Sequence, residues 1–394
     1  MRVLLATGFN ICGAETTRSL SRTGNSVDLA LLLARGRSRF QPLFSSRYAR
    51  KRIPVPHPRE NPAGFQHRIL EICKAERYDV ILPIGEDVLL ALASIEDQLL
   101  PHVRLAFDRL ERLQAIHDKY RLMKRLSAAG FDIPRIYPYS SADDLHTFDI
   151  TFPVVVKARK HSGAATGTRY ARNRTELVSI VQDFNSRPST NPTVSDFTQP
   201  LIQEYIPGSI HDAYCVSNYG DGRCIVTTTR KVMYPTTGGI SVTAATTNEP
   251  HLARYAREIL DFLQIHGITD IEVKKDDRDG RFKLLEINPR LGGLVGVVIR
   301  AGIPLPTLGC ELAVHGDTSP RFDYRHDLHY TVLFPRTFLA LKERTGQRWA
   351  YLRDTFRHLR KGRSEVDLLD PMPHVFDVLN TCRMLLTQTQ GKDF

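Results

Sequence analysis

Residues 1–110 alternate short apolar runs with helical periodicity, and this alternation restricts the fold more than any other feature of the chain. Val3–Thr7 is an apolar run that ends at Gly8, Ala14–Ser21 reads as a helix, and Val27–Leu33 reads as a second buried strand. Asp79–Pro83 is a further short strand, followed by a helical pattern from Asp87 to Leu99. Strands that alternate with helices predict a parallel α/β sheet. The stretch Thr7-Gly8-Phe9-Asn10-Ile11-Cys12-Gly13 is not GxGxxG, and no acid closes a clean second strand. That argues against a nicotinamide-binding domain.

Downstream the pattern changes. Asp118 reads as an N-cap, with Leu122, Met123, Leu126 and Ala129 at helical spacing and Gly130 as the stop. Phe152–Ala158 is an expected strand, His161–Thr168 a small-residue loop, Arg169–Ala171 its continuation, and Asn173–Asp183 a helix. Ser186–Gln199, rich in Pro, Ser and Thr, reads as a linker. Leu201–Ile206, Ala213–Asn218, Arg223–Lys231, Ile271–Lys275 and Arg281–Ile287 read as strands, with a helix over His251–Leu263. After about residue 320 the pattern becomes helical and basic. The expected division is an α/β domain over 1–115, a small α+β module over 116–200, a larger α+β module over 201–320 and a helical basic tail over 321–394.

The length of 394 residues suits two or three domains. Six scattered cysteines without CxxC spacing indicate neither a zinc site nor a disulfide framework, which suits a reducing cytoplasmic setting. The apolar start is too short for a signal peptide, and no run approaches a membrane span. The net charge of +11 points to an anionic ligand or surface. Nucleotide phosphates, a membrane face and nucleic acid all fit it.

The strongest chemical signal is a hairpin. Ile271-Glu272-Val273-Lys274 and Leu284-Leu285-Glu286-Ile287-Asn288-Pro289-Arg290 flank the turn sequence Asp276-Asp277-Arg278-Asp279-Gly280. In a regular strand Glu286 and Asn288 share a face, and folding the hairpin brings Glu272 roughly opposite Glu286. Directly opposed carboxylates repel unless a proton or cation intervenes. A hard cation with oxygen ligands answers this, with the Asn288 amide as a third oxygen, and Mg²⁺ commonly takes one or two carboxylates with phosphate and water completing its shell. Water-facing acids on an exposed hairpin are the plain alternative. Arg290 follows directly, placed to meet a phosphate.

The second signal is a set of bases. Lys157 ends a strand and precedes His161-Ser162-Gly163-Ala164-Ala165-Thr166-Gly167-Thr168, a loop able to bring backbone N–H groups close to phosphate. Lys119 opens the helix capped by Asp118. Arg230-Lys231 ends another strand before Tyr234-Pro235-Thr236-Thr237-Gly238-Gly239, a second small-residue loop. Taken singly, Lys157 and Lys119 are better read as solvated.

Taken in order, Lys119, Lys157, Gln203-Glu204-Tyr205-Ile206-Pro207-Gly208 and Glu286-x-Asn288-Pro289-Arg290 resemble the ATP-grasp superfamily, and the likeness covers roughly residues 1–315. The resemblance implies ATP-grasp architecture, α/β and α+β: a Rossmann-like pre-ATP-grasp domain, then two α+β modules clasping ATP. It implies that Lys119 and Lys157 contact nucleotide phosphates and that Gln203, Glu204, Tyr205 and Ile206 form the adenine hinge. By the same likeness Asp212 is the ribose acid and Lys231 reaches the γ-phosphate. Glu272, Glu286 and Asn288 hold Mg²⁺, with Mn²⁺ as a substitute, and Arg290 stabilises the transferred phosphoryl group. The implied activity is a carboxylate–amine ligase that forms an acyl phosphate and releases ADP and phosphate. A thiol or carbamate acceptor, or a non-catalytic ATP-binding regulator, are the alternatives. The loops His161–Thr168 and Tyr234–Ser241 are the implied lids.

The tail carries Lys342, Arg344, Arg348, Arg353, Arg357, Arg360, Lys361 and Arg363, while Trp349, Leu352, Phe356 and Leu359 share a helical face. That face either packs on its own protein, the favoured reading, or makes 342–363 a peripheral contact at the inner membrane face. No nucleic-acid recognition motif accompanies the charge, so nucleic acid is not an expected partner. The expected partners are small carboxylate and amine substrates, with a homodimer as the default assembly.

Overall fold

The computed structural model describes all residues except 9–10, 34–41, 142–143, 148, 161–166, 188–194, 220–222, 234–240, 318–322, 344–345 and 388–394. The chain divides into two compact units, each discontinuous in sequence. The first comprises Met1–Arg109, Ala213–Asp270 and Pro289–Phe394, and the second Leu110–Asp212 and Ile271–Asn288.

In the first unit, β1 (Arg2–Thr7), β2 (Ser26–Leu33), β3 (Lys51–Pro56), β4 (Val80–Pro83) and β5 (Arg104–Leu105) form a parallel sheet in the order β3-β2-β1-β4-β5. The runs in β1, β2 and β4 are buried on both faces, as a helix-covered parallel sheet requires. β3, β5 and the helix Pro62–Ala75 were not legible in sequence: Lys51–Pro56 is basic and carries two prolines. The helix expected from Asp87 to Leu99 breaks into Glu86–Ala93 and Glu96–Leu99. Asp28, central in β2, is fully buried and accepts from Arg50 Nε (2.9 Å), Arg2 (3.0 Å) and Tyr78 (2.9 Å). Burial alone would raise its carboxyl, and these hydrogen bonds outweigh it and hold the group below the usual carboxylate range.

The second unit holds a three-stranded antiparallel sheet of β6 (Val154–Lys157), β7 (Thr168–Ala171) and β8 (Leu201–Glu204), in the order β7-β6-β8. Its core joins Val154, Val156 and Ile202 to Leu177, Val181 and Phe184 of helix Arg174–Ser186. Asn173 caps that helix, accepting from Glu176 N–H at 2.9 Å.

The remaining strands are β9 (Gly208–Asn218), β10 (Arg223–Met233), β11 (Thr243–Thr246), β12 (Gly267–Asp276), β13 (Phe282–Asn288), β14 (His329–Thr331) and β15 (Gly362–Ser364). β9 and β12 have residues in both units. The sheet order is β12-β9-β10-β11-β14-β15 in the first and β13-β12-β9 in the second. β11 was missed because it follows the expected loop at once. β14 and β15 lie in the region expected to be helical and basic and were not seen in sequence: each is three residues long, too short for a period-2 signal.

The tail helix Arg348–Arg360 also turns differently from expectation. Tyr351 and Thr355 are its buried residues, whereas Trp349 and Phe356, expected on the packed face, are exposed. A polar contact fixes that rotation. His358 stacks on His329 of β14 with ring centroids 4.7 Å apart, and their Nδ1 atoms lie 2.7 Å apart.

The last helix, Pro371–Thr387, buries Asp377, whose carboxyl is pushed up to about 8 by burial, with the charge of Glu365 adding to the rise. The unfolded value is about 3.9. The folded state therefore favours the protonated acid, and its contribution is complete below pH 3.9 and lost as pH rises through about 8. Asp377→Asn is expected to leave thermal stability unchanged near pH 4 and to raise it above pH 8. Melting curves at the two pH values check this, and an equal effect at both would exclude the titration.

Candidate active site

In the second unit the hairpin of β12 and β13 brings acids and lysines together. The turn closes where Asp276 N–H donates to Arg281 O (2.9 Å) and Gly280 N–H donates to Asp276 O (2.8 Å). Gly280 sits at φ +72°, the left-handed conformation such a loop requires. The Asp276 carboxylate, fully buried, accepts from Arg278 N–H (3.0 Å), Arg278 Nε (2.8 Å) and Lys283 Nζ (2.7 Å). Hydrogen bonding to Arg278, then to Lys283, holds it well below the usual carboxylate range against the effect of burial.

Along β13, Phe282, Leu284 and Ile287 are buried, while Leu285, Glu286 and Asn288 are half-buried. Glu286 and Glu272 both place charge on one point. Lys157, buried at the end of β6, donates to Leu285 O at 2.9 Å. Burial lowers its ammonium from the ordinary value, the charges of Glu286 and Glu272 raise it, and Lys119 and Lys274 lower it further. Lys119 reaches Glu286 Oε1 at 2.9 Å.

Lys119 is placed by its helix. Asp118 accepts from Arg121 N–H (3.1 Å), closing the N-cap, and also from Arg159 (2.6 Å), while Lys119 N–H donates to Arg159 O (2.9 Å). The expected hinge is β8 and the residues after it. Gln203 pairs with Val155 and is buried, Glu204 N–H donates to Arg135 O (2.9 Å), and Ile206 is buried. Tyr205 lies edge-on to Tyr170 at 6.1 Å, with the Lys274 ammonium 4.3 Å from its ring centroid. Asp212 is buried in β9.

Lys231 and Arg290 belong to the first unit. Lys231 pairs with Ala244 next to a register shift before Met233. Arg290 donates to Leu291 O at 3.2 Å. The Cys12 thiol, near the start of helix Ile11–Arg22, is pushed up to about 12 by burial. The charge of Arg290, a hydrogen bond with Thr16 and the charge of Arg336 pull it down, and Asp270 pushes it up. Two guanidiniums thus act on the same spot. Arg336 follows a turn held by Glu365, whose carboxylate accepts from Leu333 N–H (2.9 Å) and Phe334 N–H (2.7 Å), and Arg336 donates to Ser241 O (3.1 Å). Arg336 was missed in sequence. The available signal was a single charge inside the apolar run Tyr330–Ala340, since an arginine there needs a partner. The two expected lids fall on 161–166 and 234–240, outside the described residues.

A magnesium–nucleotide complex fits the second unit's donors. Glu272, Glu286 and the Asn288 amide carry hard oxygen donors of the kind Mg²⁺ takes, with Lys157 and Lys119 beside the carboxylates. Among the described residues no three His, Cys, Asp or Glu side chains gather as a metal cage.

Residues 196–333 match a family described as ATP-grasp in the biosynthetic pathway with Ter operon. The carbamoyl phosphate synthase large chain N-terminal section of Methanopyrus kandleri is 28% identical over 175 residues, 42% of this chain and 30% of that one. The carbamoyl phosphate synthase large chain of Thermotoga neapolitana is 27% identical over 261 residues, 62% of this chain and 23% of that one. The chain thus spans less than a third of the length of these relatives. Among solved structures, a biotin carboxylase–βγ-ATP complex from Campylobacter jejuni superposes with a TM-score of 0.68 at 17% identity, covering 83% of this chain and 74% of that one. An L-amino acid ligase from Bacillus licheniformis gives 0.61 at 15%, covering 81% and 77%.

Proposed function

Because this chain belongs to the ATP-grasp superfamily, we propose that it is an ADP-forming ligase that activates a carboxylate with ATP and passes the acyl group to an amine. The observation that carries the reading is the convergence of Lys119, Lys157, Glu272 and Glu286 in the second unit. A buried ammonium whose charge burial disfavours gains most from an anion placed against it. Lys157 is such a group, and a nucleotide phosphate is the ligand that serves it. Glu272, Glu286 and Asn288 would hold Mg²⁺, which when bound neutralises phosphate charge. Gln203–Ile206 would receive the adenine, with Ile206 offering an apolar side chain. Asp212 is proposed for the ribose, Lys231 for the γ-phosphate, and Arg290 for the transferred phosphoryl group.

In this reading a carboxylate oxygen attacks the γ-phosphorus, the bond to the β-phosphate oxygen breaks, and ADP leaves. The amine then attacks the acyl carbon, phosphate leaves, and the amine gives up a proton. The residues position the reactants and offset charge, as phosphoryl transfer demands. Arg290 and Arg336, both acting on the region of Cys12, form a cationic pole suited to the substrate carboxylate.

Bicarbonate is the second reading, suggested by the biotin carboxylase domain of Hydrogenobacter thermophilus 2-oxoglutarate carboxylase, of similar fold, which holds MgADP and bicarbonate. Phosphate release from ATP and Mg²⁺ is to be measured against carboxylates, bicarbonate and amines, singly and in pairs. Release that requires a carboxylate and an amine together is the expected result. Release with bicarbonate alone would replace the first reading with the second. ATP binding without release for any pair would favour a non-catalytic regulator.

A further inference from the structure

The C-terminal part of the first unit sorts its side chains against the usual rule. Thirteen large apolar side chains are exposed among the described residues. Leu100, Tyr170, Tyr219 and Phe262 are scattered, and the other nine all fall between Phe338 and Leu379. Exposed apolar side chains concentrated in one stretch of chain single out its helices as the place to look for an interaction surface.

The helix Pro371–Thr387 is inverted. Its buried residues include His374, Asp377 and Thr381, spaced three and four apart, while Met372, Val375 and Leu379 are exposed. The helix Arg348–Arg360 turns out Trp349 (85% exposed) and Phe356 (63%), two turns apart and therefore on one side. Arg353 and Arg360 lie on the same outward side by helical spacing and are exposed. Leu368, between the two helices, is 87% exposed.

Charge is sorted too. Arg348, Arg353, Arg357, Arg360, Lys361 and Arg363 are exposed, whereas the acids Glu365, Asp367, Asp370 and Asp377 are buried. Asp354 is half-buried and paired with Arg357 at 3.1 Å and Arg353 at 3.6 Å, and Lys361 pairs with the exposed Asp327 at 3.2 Å. Along the two helices themselves, solvent therefore meets mainly arginine and large apolar groups, with most acids withdrawn.

We propose that this surface docks on an anionic phospholipid bilayer. Trp349, Phe356 and the exposed aliphatic side chains would enter the boundary between headgroups and acyl chains, and the arginines would meet the lipid phosphates. Interfacial helices combine these two elements, and aromatic rings favour that depth. A second copy of the chain is a poorer occupant, because a two-fold contact sets like-charged arginines against one another. Single-stranded nucleic acid would use the two aromatic rings and the arginines, but leaves Leu368, Met372, Val375 and Leu379 without a role, since bases stack on rings. Among the described residues no helix is long and apolar enough to cross a membrane, so contact would be peripheral.

Trp349 is the only tryptophan in the chain, so its fluorescence reports this surface alone. The full chain is to be mixed with vesicles of phosphatidylcholine, and with vesicles containing about a third phosphatidylglycerol. Co-sedimentation with the anionic vesicles only, with a blue shift of Trp349 emission, is the expected result. Each arginine near the surface contributes about fivefold in partitioning, so the triple variant R353Q/R357Q/R360Q should bind on the order of 100-fold more weakly. These side chains are exposed, so the variant should keep the parent's melting temperature, which controls for misfolding. M372S/L379S should weaken binding while keeping the preference for anionic lipid. No sedimentation with anionic vesicles would overturn the proposal. Emission that shifts only with single-stranded oligonucleotide, or a dimer abolished by M372S/L379S without vesicle binding, would overturn it in favour of those occupants.

Discussion

Replacing Glu286 by alanine is expected to lower ATP- and Mg²⁺-dependent phosphate release by roughly 10²–10³-fold, the range for loss of one preorganised electrostatic group. Glu286 is half-buried and touches Lys119 at 2.9 Å, and its charge also supports the buried Lys157. Removing it takes away a proposed metal ligand and leaves two clustered ammonium groups with less negative charge between them. Both effects act on the nucleotide phosphates. The fold should persist, because the side chain is 31% exposed and the strand is held through the turn at Asp276. Glu286→Gln separates shape from charge: it keeps the volume, loses the charge, and should lose nearly as much activity. Initial rates of phosphate release with matched circular dichroism spectra make the comparison. Unchanged release in Glu286→Ala would remove the metal assignment altogether.

The second large effect is on stability. Asp276→Ala is expected to cost about 3–5 kcal/mol, the range for breaking a buried ion pair by removing one partner. Asp276 is fully buried, and it accepts from Arg278 and from Lys283 at 2.7 Å. Alanine would leave Lys283, itself little exposed, without that carboxylate. The pH dependence has a definite sign. The folded carboxyl lies below its unfolded value of about 3.9, so its contribution is present above that value and lost as pH falls through the folded one. The gap between wild type and Asp276→Asn in urea unfolding should therefore be full at pH 7 and shrink in strong acid. A gap that stays constant with pH would mean that Asp276 acts by packing. Because the same turn aligns β12 with β13, the variant should also lose activity below its unfolding temperature.

Lys283 and Asp276 show why this part of the site was only half legible. The Asp279-Gly280 turn and the acids at 272 and 286 follow from period-2 alternation and turn chemistry, which are local. How deeply each of these residues is buried is not local: Glu286 is half-buried and Ile287 buried because of what the folded unit lays over each face of β13. The lysines divide the same way. Asp118 announced the helix that Lys119 opens, but the 2.9 Å contact with Glu286 joins residues far apart in sequence.

In the first unit, Val3–Thr7 and Val27–Leu33 were readable because a strand buried on both faces must be continuously apolar. Lys51–Pro56 was not, because an edge strand can afford lysine and proline. Arg336 became a candidate only when the fold brought its charge, like that of Arg290, to bear on the Cys12 thiol, with Glu365 holding the turn before it. The tail makes the division clearest. Sequence alone determined that this region holds a basic helix, found over Arg348–Arg360, since composition and spacing suffice for that. Which side of the helix Arg348–Arg360 faces outward was decided by tertiary contacts, His358 on His329 among them, because a buried polar contact can fix a rotation that apolar periodicity alone would set the other way.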